Sequence, residues 1–220
     1  MKREIKITSD GSHTLFVPKL DEHYHSIHGA IQESMHVFIN NGIQSLFKSP
    51  IKVLEVGFGT GLNALLTAVW SHKENVQVHY FGIESQPLEL KLNESLNYSQ
   101  ELDEPESATY FDKIISSDWH VESKIHNYFT LNKIEVRIQD YQTNHKYDII
   151  YYDAFGPDVQ EELWEYSLLK NIYELLNNNG IFVTYCAKGQ LKRDLKELGF
   201  KVESLPGPPG KREMTRAVKF

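Results

Sequence analysis

Ile51-Lys52-Val53-Leu54-Glu55-Val56-Gly57-Phe58-Gly59-Thr60-Gly61-Leu62-Asn63-Ala64-Leu65-Leu66-Thr67-Ala68-Val69 reads as strand, glycine turn and helix. Ile51 to Val56 is a short apolar run of the kind that forms a buried parallel strand. Three glycines at alternate positions follow, and Leu62 to Val69 reads as a helix. Glycine permits a tight turn and lets a ligand lie against bare main chain. The helix N-terminus beyond it offers free N–H groups and a partial positive charge. A structural glycine turn in another kind of α/β protein has the same pattern, so this stretch alone does not decide a function.

The next strand adds to it. Val76 to Glu84 ends in an acid that lies 23 residues after Gly61 (84 − 61). A carboxylate at that strand end accepts two O–H bonds from a ribose diol. The spacing suits NAD and S-adenosylmethionine alike. A G-x-G-x-x-G order favours the dinucleotide, whereas Gly57-x-Gly59-x-Gly61 favours S-adenosylmethionine, which has no pyrophosphate to cradle.

Composition bounds the rest. At 220 residues, one domain with an appendage is expected. No apolar run approaches the ~20 residues that span a bilayer. Met1 to Lys6 lacks the apolar stretch of a secretion leader. Cys186 is the only cysteine, which excludes an intrachain disulfide and a thiolate zinc cluster. A cytoplasmic protein without a membrane partner is expected. The net charge of −7 is uneven: residues 186–220 hold nine Lys/Arg against four Asp/Glu, and the remainder fourteen against twenty-six. A basic end on an acidic body is either a footprint for a polyanion or a solvated helix face.

Glu4 to Thr8 and His13 to Val17, around Asp10-Gly11, predict a hairpin. His23, His25 and His28 are close in sequence, but their spacing matches no zinc signature. A helix is expected from Gly29 to Phe47, so that residues 1–48 cover a cofactor-binding domain of residues 49–220. Helices follow at Leu88–Asn97, Leu163–Leu176 and Leu191–Leu198. Further strands are expected at Ile134–Ile138, Lys146–Tyr152, Ile181–Tyr185, Phe200–Leu205 and Met214–Phe220. Helical pieces occupy residues 99–133. The loop Pro206–Gly210 is too short for a helical crossover, so the last two strands run antiparallel. The fold class is α/β: a doubly wound, mostly parallel seven-stranded sheet with one antiparallel strand, plus the N-terminal hairpin and helix.

Ligands of such sheets sit at the carboxyl ends of the strands. Gly57, Gly59, Gly61, Glu84, Asp140 and Asp153 all fall there. Asp140, after the third strand, is placed to accept an adenine amine. Asp153 ends a buried strand, where an unpaired carboxylate is costly. With Phe155 and Pro157 as a rigid apolar wall, it suits a site that aims a nucleophilic nitrogen and takes its proton.

Glu55-Val-Gly-Phe-Gly-Thr-Gly-Leu-Asn63, Glu84 with Pro87-Leu88, Asp153-Ala-Phe-Gly-Pro157 with Trp164, and Gly210-Lys-Arg-Glu-Met214 occur in this order. Together they resemble the MnmC-type tRNA methyltransferases, over nearly the whole chain and including Tyr24-His25-Ser26 and Glu33. The resemblance implies a Rossmann-like class I methyltransferase that uses S-adenosyl-L-methionine. It would convert 5-aminomethyl-2-thiouridine to 5-methylaminomethyl-2-thiouridine at the tRNA wobble position. It puts Glu55, Gly57, Gly59, Gly61, Asn63, Glu84 and Asp140 in the cofactor site. Asp153, Phe155 and Pro157 would serve the acceptor amine, and Tyr24, Glu33, Lys211 and Arg212 the substrate. It also implies the form without the oxidase domain of bifunctional members, so that a separate enzyme supplies the aminomethyl group. Read from residues alone, a class I methyltransferase of small amines or proteins, and an aminopropyl-type transferase, stay open beside it. So does a non-catalytic module that has kept the fold.

Overall fold

Residues 4–23 form a small sheet before the α/β body begins, in a computed structural model that describes residues 2–220. Strands β1 (Glu4–Ile7), β2 (His13–Val17) and β3 (Glu22–His23) pair antiparallel in that order. The expected long helix is broken. α1 (Ala30–Ser34) widens into a π-helical turn at Met35–Asn40, and a separate 3-10 turn follows at Ile43–Ser45. A side chain at Gly42 would put its Cβ 2.2 Å from the Phe38 carbonyl oxygen, so the chain reverses tightly there.

The body alternates β4 (Ile51–Val56), α2 (Leu62–Glu74), β5 (Val78–Glu84), α3 (Leu90–Glu94), α4 (Tyr98–Glu101), α5 (Ser107–Ser116), β6 (Glu122–His126) and β7 (Phe129–Glu135). It continues with β8 (Tyr147–Tyr152), α6 (Tyr166–Leu175), β9 (Leu176–Thr184), α7 (Gly189–Glu197), β10 (Phe200–Pro206) and β11 (Glu213–Lys219). The main sheet has eight strands, in the order β10-β11-β9-β8-β4-β5-β7-β6, not seven. β9, β8, β4, β5 and β7 are parallel; β11 and β6 run against their neighbours. The central strand β8 is buried along its whole length, as a strand covered on both faces must be.

The eighth strand accounts for one misreading. The strand expected at Ile134–Ile138 is instead β7, Phe129–Glu135, and it pairs back onto β6. Lys133 hid it: this lysine occupies a core-facing position at 3% exposure. Its ammonium donates to the Ile115 carbonyl at 3.1 Å and lies 5.1 Å from the centre of the Trp119 ring. Burial lowers its pKa to about 8. The fifth strand also starts early, at Leu176. Asn177 donates there to buried Asp148, and Lys219 donates to the carbonyls of Tyr173 and Leu176 at the end of α6. The helix expected at Leu88–Asn97 is confined to Leu90–Glu94, and a separate short helix follows at Tyr98–Glu101.

One apolar core lies on each face of the sheet. Leu15, Ala30, Val37, Phe38, Ile39 and Ile43 pack into the same core as α2 and α5. The N-terminal 48 residues are thereby anchored by hydrophobic burial worth about 1.5–3 kcal/mol for each large side chain. That anchorage holds Tyr24 and His25 above the ends of β4 and β8. Among the described residues no helix is long and apolar enough to cross a membrane.

Candidate active site

The turn after β4 makes the floor. Gly57, Gly59 and Gly61 have φ of 91°, 51° and 79°, in the left-handed region that glycine enters without strain. Gly57 and Phe58 donate to the Ile83 carbonyl at 3.0 and 2.9 Å, which clamps the turn to β5. Asp153 N–H donates to the Val56 carbonyl at 2.9 Å and fixes the end of β8 beside it. A Cβ on Gly57 would stand 2.6 Å from the Asp153 carbonyl oxygen, and one on Gly59 3.2 Å from the Tyr24 ring. Gly61 lies one layer lower, against Phe58 and Ile114, where it starts α2.

Above this floor is a cavity of about 330 Å³. Gly57, Gly59, Glu84, Asp153, Tyr24 and Phe155 line it. Glu84 accepts the Gly59 N–H at 3.1 Å and the Gln86 N–H at 2.8 Å, so its carboxylate faces the turn. Val136, Ile138 and Leu163 form an apolar wall nearby. Tyr24 and Phe155 meet edge to face, with ring centres 5.2 Å apart. Trp164 donates its indole N–H to the Phe155 carbonyl at 2.8 Å, and Tyr185 its hydroxyl to the Ala154 carbonyl at 2.8 Å. The Asp153–Phe155 loop is thus held at both peptides.

Asp153 is the unusual group. Burial raises its carboxyl from the ordinary range to about 7, with Glu33 adding to the rise; Asn63 and Lys211 oppose it. Behind it Lys211 Nζ pairs with buried Glu33 at 2.6 Å and lies 3.9 Å from the centre of the Tyr185 ring. Glu33 also accepts the Ser26 N–H at 2.9 Å. His25 Nε2 meets Thr60 Oγ1 at 3.0 Å, and burial lowers its pKa to about 4, so it stays neutral. The neighbouring histidines go elsewhere: His23 packs on Phe16 and His28 against Gly210.

Several expected site residues sit outside the cavity. Asp140 ends a 3-10 turn, is 64% exposed and faces Arg137 at 3.8 Å; with β7 ending at Glu135, Gln139 takes the lining position instead. Glu55 and Asn63 do not line the cavity either. Glu55 is on the face of β4 that packs under α2, fully buried, and the Asn63 amide is taken up by Glu55 and Asp153. Pro157 and Arg212 are also outside it, Arg212 in solvent. Arg3 was not legible in the sequence. It lines the cavity, donates to the Tyr24 hydroxyl at 3.0 Å and reaches the Gln86 carbonyl at 3.3 Å. Only its neighbourhood in the folded chain reveals it, since a lone arginine near a terminus carries no motif.

Comparison with known proteins adds to this geometry. A family model described as S-adenosyl-L-methionine-dependent methyltransferase matches residues 116–220. The crystal structure of MNMC2 from Aquifex aeolicus superposes with a TM-score of 0.77 at 27% identity, covering 98% of this chain and 69% of that one. Over its second half the chain thus matches the S-adenosyl-L-methionine-dependent methyltransferases, and over nearly its whole length it shares the fold of this solved structure. Among curated relatives of this chain is the tRNA 5-methylaminomethyl-2-thiouridine biosynthesis bifunctional protein MnmC of Leptospira borgpetersenii. It is 30% identical over 210 residues, 89% of this chain and 32% of that protein. The protein of that name from Pseudoalteromonas atlantica is 28% identical over 235 residues, 98% of this chain and 33% of its own length. The chain therefore spans about a third of the length of these relatives. The MnmC resemblance read from the motifs is met across most of the chain.

Proposed function

We propose that this methyltransferase transfers a methyl group from S-adenosylmethionine to the amine of 5-aminomethyl-2-thiouridine in tRNA. The observation that carries the reading is Asp153, a carboxylate poised near neutrality at the floor of the cavity, between the glycine turn and two aromatic rings. The relatives named for 5-methylaminomethyl-2-thiouridine biosynthesis support the nucleoside.

The residues present fit the cofactor. Gly57 and Gly59 leave bare main chain where a Cβ would meet Asp153 or Tyr24, Glu84 offers a carboxylate to a ribose diol, and the Val136–Ile138–Leu163 wall suits a flat ring. When bound, S-adenosylmethionine supplies an electrophilic methyl group on a sulfonium. Asp153 accepts one proton from the acceptor ammonium, which frees the nitrogen lone pair for attack. Tyr24 and Phe155 exclude water and hold the acceptor in line, and positioning provides most of what a protein adds to such a displacement. We assign Lys211 and Glu33 a supporting place behind Asp153: Glu33 raises its carboxyl, and Lys211, paired with Glu33, holds that rise in check. The N-terminal cover, residues 1–48, completes the cavity through Arg3, Leu20, Tyr24 and His25.

Label from methyl-labelled S-adenosylmethionine is expected in tRNA carrying 5-aminomethyl-2-thiouridine and not in tRNA lacking the aminomethyl group. Label in neither, with the cofactor bound in a separate titration, overturns the tRNA reading. The acidic body favours a second reading, methylation of a small amine or protein amine. Salt separates the two, since several phosphate contacts make tRNA affinity fall steeply between 50 and 200 mM salt while a small amine is indifferent to it. Replacing Glu84 tests the cofactor assignment. Glu84→Ala is expected to weaken S-adenosylmethionine binding by about 10- to 100-fold, the worth of charge-assisted hydrogen bonds to a diol, as read by calorimetry.

A further inference from the structure

Beneath the floor, one side-chain amide joins two carboxyl groups. Asn63, the second residue of α2, donates from Nδ2 to Glu55 Oε1 at 2.8 Å and to Asp153 Oδ2 at 2.8 Å. Glu55 is 0% and Asn63 2% exposed, and neither lines the cavity, so neither touches a substrate lying in it.

We infer that Asn63, anchored at Glu55, is the positioning residue that mounts Asp153 for proton acceptance. The inference rests on the amine-methylation reading above. Two hydrogens on one nitrogen let a single amide donate to both carboxyls, whereas serine, threonine or aspartate has no second hydrogen to donate. With Oδ2 engaged, Oδ1 has no hydrogen-bond partner among the described residues and is the oxygen left for the acceptor's proton. The anchor is itself a buried acid. Glu55 lies far above the usual carboxylate range, first through burial and then through Asp153, so it holds a proton and adds no second negative charge. The Asn63 Oδ1 is buried without a partner, and the Tyr80 hydroxyl lies beside the Glu55 carboxyl. Such a costly arrangement in a core is expected where it serves a site. The charged and titratable groups facing Asp153 are Glu55 from β4, Glu33 from α1, Tyr80 from β5, Tyr185 after β9 and Lys211 from the β10–β11 loop.

The test uses the whole protein without cofactor, labelled with 13C at aspartate carboxyls, the Asp153 signal being identified by its loss in Asp153→Asn. Its titration midpoint in the wild type is expected near 7. Asn63→Ala removes a donor that favours the ionised form, so the midpoint is expected to rise by about one pH unit. Glu55→Gln keeps a carbonyl for the Asn63 amide and is expected to leave the midpoint within about 0.3 unit. The acid limb of kcat is expected to follow the midpoint in each variant, and the S-adenosylmethionine Kd to stay within about twofold of wild type in Asn63→Ala. If Asn63→Ala does not fold, Glu55→Leu takes its place, since it removes the anchor and keeps volume, and the same upward shift is expected. An unmoved midpoint in the anchor-removing variant overturns the mount. A shift in Glu55→Gln as large as in Asn63→Ala also overturns it, by assigning control to the Glu55 charge. A wild type that methylates no amine, with the midpoint still moving in Asn63→Ala, overturns the amine reading and leaves the mount standing.

Discussion

Asp153→Asn is expected to lower kcat by about 10³-fold, or about 4 kcal/mol of transition-state stabilisation, with S-adenosylmethionine Kd within about twofold of wild type. The substitution is nearly isosteric. Asparagine keeps a carbonyl to accept from Asn63 and leaves the Asp153-to-Val56 main-chain bond alone, so the fold should survive. What is lost is the proton acceptor. The sign of the pH dependence follows from the raised carboxyl: the ionised form is needed, and its pKa is about 7. The wild-type rate should therefore plateau above pH 7 and fall about tenfold per unit below it. In Asp153→Asn that limb should be missing from whatever rate remains. A variant that loses cofactor binding together with activity would place Asp153 in the cofactor site instead. Single-turnover rates over pH 5.5–9, with Kd measured in parallel, distinguish the two.

Gly57→Ala is expected to abolish measurable cofactor binding, weakening it by about 100-fold or more, and to destabilise the protein by about 2–4 kcal/mol. Two effects add. The φ of 91° is strained for any residue with a Cβ, and the new methyl would stand 2.6 Å from the Asp153 carbonyl oxygen. That oxygen belongs to main chain fixed by hydrogen bonds to β4 and by Trp164, so it has little room to withdraw. Relief must come from the turn itself, which moves the surface against which the cofactor lies. Calorimetric binding and thermal denaturation read the two effects separately. Binding within tenfold of wild type would remove Gly57 from the cofactor site.

Much of this site was legible because its parts are short and local. Strand, three spaced glycines, helix, and an acid at the next strand end form a pattern that survives without tertiary knowledge. Gly57, Gly59, Glu84 and Asp153 all face one cavity. Phe155 was legible for the same reason, being on the loop that Asp153 begins. Other residues were misplaced where the answer depended on which face of an element turns inward. Asn63 and Glu55 stand within the motif but point beneath it, because the first turn of α2 and the lower face of β4 pack against each other. Asp140 was displaced by a register error that traces to Lys133, whose charge suggests solvent although its alkyl stem and ammonium are satisfied inside. The Glu33–Lys211 pair joins residues 178 positions apart, and no local rule predicts such a contact.

The position of β11 has a consequence for how the chain reaches this structure. It is the last strand in sequence, yet it is wedged between β9 and β10. β10 is hydrogen-bonded in the sheet to β11 alone, so it gains no backbone partners until residues 213–219 arrive. On a ribosome the preceding strands emerge first and leave the β9 border open, a ready template for foreign strands. Closure of that border also seats Lys211 against Glu33, because the loop that carries Lys211 joins these two strands. The surroundings of Asp153 are thus complete only when the β10–β11 loop is in place, and a chain truncated before Lys211 would keep the glycine turn without the Lys211–Glu33 pair.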